Sequence, residues 1–62
     1  MQNRLKEMRK RASLTQEDLA LRAGVTRQAL SAIEKGAVIP NTAIALTLAQ
    51  IFQCRVEDLF FS

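Results

Sequence analysis

The chain has 62 residues, 48% of them apolar, with three Phe and no Trp or Tyr; that is enough for one aliphatic helical core and too little to enclose a large catalytic cavity. One Cys and no His exclude an intramolecular disulfide and a Cys/His metal site, and no apolar run or N-terminal layout fits a membrane span or a signal peptide. The net charge of +3 favours an anionic partner, nucleic acid or an anionic membrane surface, although a basic stretch is as readily a solvated face. The charge is uneven: eight cations and four anions lie up to Lys35, and only Arg55, Glu57 and Asp58 follow.

Residues 2–12 place Leu5, Met8 and Ala12 at i, i+3 and i+7 among basic residues, which predicts a first helix resting on the core by one stripe and ending at Ser13. Leu14 is the core plug of the connection. Thr15, with Asp18 three residues later, predicts a capped second helix beginning near Gln16. That helix turns Leu19, Ala20 and Ala23 to one side and stops at Gly24, which takes a left-handed conformation without a Cβ penalty. Thr26 then caps a third helix running to about Lys35, with Leu30 and Ile33 inward and Gly36 as the stop.

Gln16 to Lys35 therefore reads as two short helices about a tight turn, with Val25 plugging their angle. The outward set of the third helix, Arg27, Gln28, Ser31 and the small Ala29 and Ala32, suits the edges of base pairs. Gln pairs two hydrogen bonds with adenine, Arg with guanine, and Ala meets a thymine methyl. Sequence-directed binding of double-stranded DNA is the function this stretch predicts.

Pro40 discourages a helix at Ile39, and Asn41 is a strong N-cap, so 37–41 is a connection and a fourth helix runs from about Thr42 to Phe52. No residue from Ala37 to Gln53 is charged. Ala45, Leu46, Ala49 and Phe52 are expected to cover the core, leaving an opposite face of Ala43, Ile44, Thr47, Leu48 and Ile51 that is still largely apolar. A second copy or another domain would cover it. Val56 to Phe61 reads as a last helical turn or two, with Val56, Leu59 and one of Phe60 and Phe61 inward.

These residues, Thr15 to Ala20, Ala23 to Gln28, Ser31 to Gly36, Pro40 and Val56 to Phe60, closely resemble the Cro and phage-repressor type of helix-turn-helix regulators over nearly the whole chain. The resemblance implies an all-α, compact five-helix, lambda-repressor-like DNA-binding domain over 1–62, with the helix-turn-helix at 16–35. It also implies a repressor that acts as a homodimer on a near-palindromic operator. Carried over position by position, Arg27, Gln28, Ala29 and Ala32 read bases, with phosphate as an alternative for Arg27. Gln16, Ser31, Lys35, Gly36, Asn41 and Thr42 meet the phosphate backbone. Arg9 and Glu34 form an ion pair tying the first helix to the third. Ile44, Leu48, Ile51, Phe60 and Phe61 are the expected dimer interface. The chain departs from the family pattern at Ser13, where a Gly is frequent, at Gln53, where relatives often turn with Gly or Asn, and at Arg55, where a small N-cap is usual.

No catalytic residue, cofactor, metal or small-molecule site is expected: there is no His, no paired pocket carboxylate and no Gly-rich phosphate loop, and Cys54 has no visible base. A cytoplasmic, nucleoid-associated protein follows. Two alternatives stand beside this reading. One is a protein-interaction module using the fourth helix and the C-terminal Phe pair; the other is the N-terminal DNA-binding domain of a ligand-responsive regulator.

Overall fold

The computed structural model describes residues 2–61. Five helices follow in order: α1 Leu5–Arg11, α2 Gln16–Ala23, α3 Arg27–Glu34, α4 Thr42–Ile51 and α5 Val56–Leu59. They are framed by two short strands, β1 (Gln2–Asn3) and β2 (Phe60–Phe61), paired antiparallel with Gln2 opposite Phe61 and Asn3 opposite Phe60. All five predicted helices are present.

The ribbon corrects both chain ends. Gln2 and Asn3 are extended, and α1 starts only at Leu5, whose amide donates to Asn3 Oδ1 at 3.0 Å. The Arg4 amide donates to Leu59 O at 2.9 Å, and the Arg4 guanidinium lies 5.3 Å above the Phe61 ring. Contacts between residues almost the whole chain apart thus override the helical periodicity of 2–12. Ala12, expected in the inward stripe, is the exposed C-cap of α1, and Arg9 takes its place inside.

The core gathers Leu5, Leu19, Ala20, Leu30, Ile33, Ala45, Leu48, Leu59 and Phe60, with Met8, Leu14, Ala23 and Val25 packed on its margin. Each helix start is fixed by local chemistry. Thr15 Oγ1 accepts from the Asp18 amide at 3.0 Å, while Asp18 Oδ2 accepts from the Thr15 amide at 3.1 Å, completing the capping box. Thr26 Oγ1 accepts from Ala29 N, and Asn41 Oδ1 from Ile44 N. Gly24 stops α2 at φ +74°. Ser13 and Gln53 take the left-handed conformation too, at φ +59° and +54°, so both turns hold a residue with a Cβ in a conformation that Gly adopts without penalty. At Arg55 the capping acceptor comes from Asp58, whose Oδ2 receives the Arg55 amide at 3.2 Å and its Nε at 3.4 Å.

Helix α4 is turned differently from the expectation. Ala45, Leu48 and Ala49 are buried, Phe52 is half-buried, and Leu46 is 49% exposed. Positions 45, 48, 49 and 52 make one i, i+3, i+4, i+7 stripe, whereas Leu46 lies about 100° round the helix from Ala45. Leu48 and Phe60 are therefore corrected out of the dimer interface: at 0% and 8% exposure they belong to the protomer's own core. Ile44, Ile51 and Phe61 are half-buried, the first two packed against that core. Phe60 is the inward member of the Phe pair.

Candidate nucleic-acid interface

Recognition of a duplex needs a rigid helix whose outer side chains reach base edges, flanked by groups that hold the backbone. Helix α3 meets the first condition through its buried side, Leu30 and Ile33 at 0% and 3% exposure, and its Thr26 cap. Arg27, Gln28 and Ala29 are exposed, and Ser31 and Ala32 are half-exposed along the adjoining surface. None of these five side chains is aromatic or branched apolar.

The orientation of α3 is set at its C-terminal end. Arg9 Nε donates to Glu34 Oε2 at 2.7 Å, Arg9 Nη2 to Glu34 Oε1 at 3.3 Å, and Arg9 Nη1 to the Leu14 carbonyl at 3.0 Å. The Arg9 side chain is 11% exposed and that of Glu34 3%, so the sequence-predicted pair exists and is largely withdrawn from solvent. Two further bonds escaped sequence reasoning. Gln16 Nε2 donates to Glu34 Oε1 at 3.0 Å, and Asn3 Nδ2 donates to Ile33 O at 3.0 Å. Glu34 therefore joins α1, α2 and α3, and β1 is fastened to the end of α3. Nothing in the sequence announces either bond, because the partners lie 18 and 30 positions apart.

The flanking groups fall on both sides of α3. Gln16 opens α2, where first-turn amides and the helix dipole favour an anion. Lys35, Asn41 and Thr42 are exposed beyond the other end. Gly36, at φ +78°, donates its amide to Ile33 O at 3.0 Å, and Ala37 donates to Ala32 O at 3.0 Å. These bonds close the α3 terminus in a Schellman-type turn. Gly36 thereby shapes the segment, and the Lys35 ammonium is the cation beside it. Asn41 has its Oδ1 engaged as the α4 cap.

Burial, and then the Asp58 charge, push the Cys54 thiol up, the opposite of what an activated nucleophile needs. Among the described residues no cluster of three or more His, Cys, Asp or Glu could hold a metal, and no helix is long and apolar enough to cross a membrane.

The helix-turn-helix family model matches residues 5–59 of the chain. The chain is 43% identical over 61 residues to an uncharacterized HTH-type transcriptional regulator of Bacillus subtilis, YgzD, covering 98% of this chain and 92% of that one. A similarly described regulator of Methanocaldococcus jannaschii is 47% identical over 60 residues, covering 97% and 91%. One from Archaeoglobus fulgidus is 40% identical over 60 residues, covering 97% and 84%.

Proposed function

Since the chain belongs to the helix-turn-helix family of Cro and phage-repressor type, we propose that it regulates transcription by sequence-directed binding to double-stranded DNA, with α3 in the major groove. The observation that carries this is the exposed Arg27, Gln28 and Ala29 face on a helix locked by the Arg9–Glu34–Gln16 bonds. A reading helix must not pivot, and these bonds resist pivoting. Arg27 supplies two donors for a guanine edge, Gln28 one donor and one acceptor for an adenine edge, and Ala29 and Ala32 admit a thymine methyl.

Gln16, Ser31, Lys35, Asn41 and Thr42 hold the phosphates on either side, with Gly36 shaping the turn between Lys35 and the next helix. Such contacts fix register, and base contacts fix sequence. Two protomers related by a two-fold axis would read a near-palindromic operator with half-sites about 34 Å apart. Such a dimer would act at a promoter either by occluding polymerase or by recruiting it.

Selection of bound duplexes from a random pool tests the reading. A symmetric consensus is expected. Arg27→Ala with Gln28→Ala should remove preference for that consensus while weaker binding to random DNA persists. Equal loss on both DNAs, or no loss on either, overturns readout by α3.

A further inference from the structure

We propose that Asn3, in β1, is a positioning residue for DNA recognition: through its bond to the end of α3 it sets where Lys35 meets the phosphate backbone. The proposal rests on the DNA reading above and adds to it a residue from outside the Gln16–Lys35 stretch. The side-chain amide of Asn3 is spent at both ends. Its Oδ1 accepts from the Leu5 amide at 3.0 Å, and its Nδ2 donates to the Ile33 carbonyl at 3.0 Å. The first bond orients the planar amide so that the second points at α3, a double role that needs an acceptor and a donor on one group. The backbone beneath is fixed as well. Asn3 pairs with Phe60, which is 8% exposed, and the next amide, that of Arg4, donates to Leu59 O at 2.9 Å.

Ile33 O lies in the last turn of α3, among the carbonyls that a helix leaves without an internal partner. It already accepts from the Gly36 amide at 3.0 Å, the bond that folds the chain back just after Lys35, and Asn3 takes its second lone pair. Asn3 therefore stands directly behind the turn that carries Lys35. The other holds on α3 are of a different kind. Burial of Leu30 and Ile33 presses the helix onto the core but has no direction. Arg9 and Gln16 grip the Glu34 carboxylate, at the far end of a rotatable side chain. Asn3 grips the main chain itself, so it fixes the helix axis and not one side chain.

The lever is long enough to matter. Helix α3 has eight residues, about 12 Å of axis, and a pivot of about 5° on the Gly24 turn would carry its last residue about 1 Å. A binding constellation must be held within about 0.5 Å. Arg27 and Gln28 sit beside the pivot and would hardly move, whereas Lys35 sits at the far end and would move most. Loosening Asn3 thus costs first the phosphate contact, and with it the register that phosphate contacts provide.

A double-mutant cycle read as salt dependence tests this. Asn3→Ser and Asn3→Asp each keep an oxygen for the Leu5 amide and lose the Nδ2 donor, the first without adding charge and the second without changing shape. Both should keep the wild-type circular dichroism spectrum, and each is an independent background should the other fail to fold. Each should weaken binding to the selected consensus about threefold to tenfold. In the wild type, Lys35→Gln should lower the slope of log affinity against log salt by about one. In the Asn3 variants the same substitution should change the slope far less, because the contact is already lost. An equal effect of Lys35→Gln in every background, or an unchanged consensus affinity in the Asn3 variants, makes Asn3 a structural residue only and leaves the DNA reading intact. A wild type that binds no duplex, or whose slope Lys35→Gln does not change, overturns the Lys35 phosphate assignment and this inference with it.

Discussion

Glu34→Ala is expected to destabilise the chain almost to unfolding. The substitution removes the acceptor of three hydrogen bonds, from Arg9 Nε at 2.7 Å, Arg9 Nη2 at 3.3 Å and Gln16 Nε2 at 3.0 Å. It leaves a guanidinium 11% exposed with the Leu14 carbonyl as its remaining partner. Stripping one member from a pair this enclosed costs about 3–5 kcal/mol, and a domain of this size has about 3–9 kcal/mol in total. With a urea slope of about 1 kcal/mol/M, the unfolding midpoint should fall by about 3 M or more. Arg9→Met combined with Glu34→Leu should recover most of the loss, because it removes the buried charge along with its partner. The Arg55–Asp58 pair, at 3.4 Å with side chains 75% and 47% exposed, is the control: Arg55→Ala should leave the midpoint nearly unchanged. A midpoint for Glu34→Ala close to that of Arg55→Ala would refute the argument, since burial would then add nothing to the pair.

Three further outcomes follow from local geometry. Ser13→Gly together with Gln53→Gly should raise the melting temperature by about 4–8 °C, because relieving two left-handed Cβ conformations outweighs the added freedom of the unfolded chain by about 1 kcal/mol; calorimetry showing no rise would contradict the turn assignment. Asn41→Ala should cost about 1 kcal/mol by freeing the Ile44 amide, measured by urea unfolding in the absence of DNA. Hydrogen bonds from the Thr15 backbone and then its side chain hold the Asp18 carboxyl below its ordinary value, and those from the Arg55 side chain and then its backbone do the same for Asp58. Their stabilising contribution is therefore present above the unfolded pKa of about 3.9 and is lost as pH falls through the folded value. Stability should hold from pH 7 to about 5 and decline below about pH 4, with a shallower acid limb in Asp18→Asn.

Much of the site was legible in the sequence. Thr15, Thr26 and Asn41 cap the helices they precede, Gly24 stops α2, and Leu19, Ala20, Leu30 and Ile33 face inward. These features depend on residues no more than four positions apart, where helix geometry fixes who meets whom. The Arg9–Glu34 pair spans 25 positions and was reached only through family resemblance. The α4 face was misjudged because an almost uniformly apolar helix carries little periodic signal, and Leu46 and Leu48 are chemically alike.

The sequence by itself determined five helices, the caps of α2, α3 and α4, a basic N-terminal half and an exposed Arg27–Gln28 face, because each follows from neighbours along the chain. Only the tertiary structure decided that Gln2–Asn3 pair with Phe60–Phe61, that Glu34 also holds Gln16, and that Leu48 is core while Leu46 lies open. Those outcomes depend on which surfaces the chain brings together over long separations, and a helical period has no term for them. The bond from β1 to the end of α3 is the clearest case: one Asn side chain, 30 positions away, helps fix the helix whose outward face the sequence had already marked.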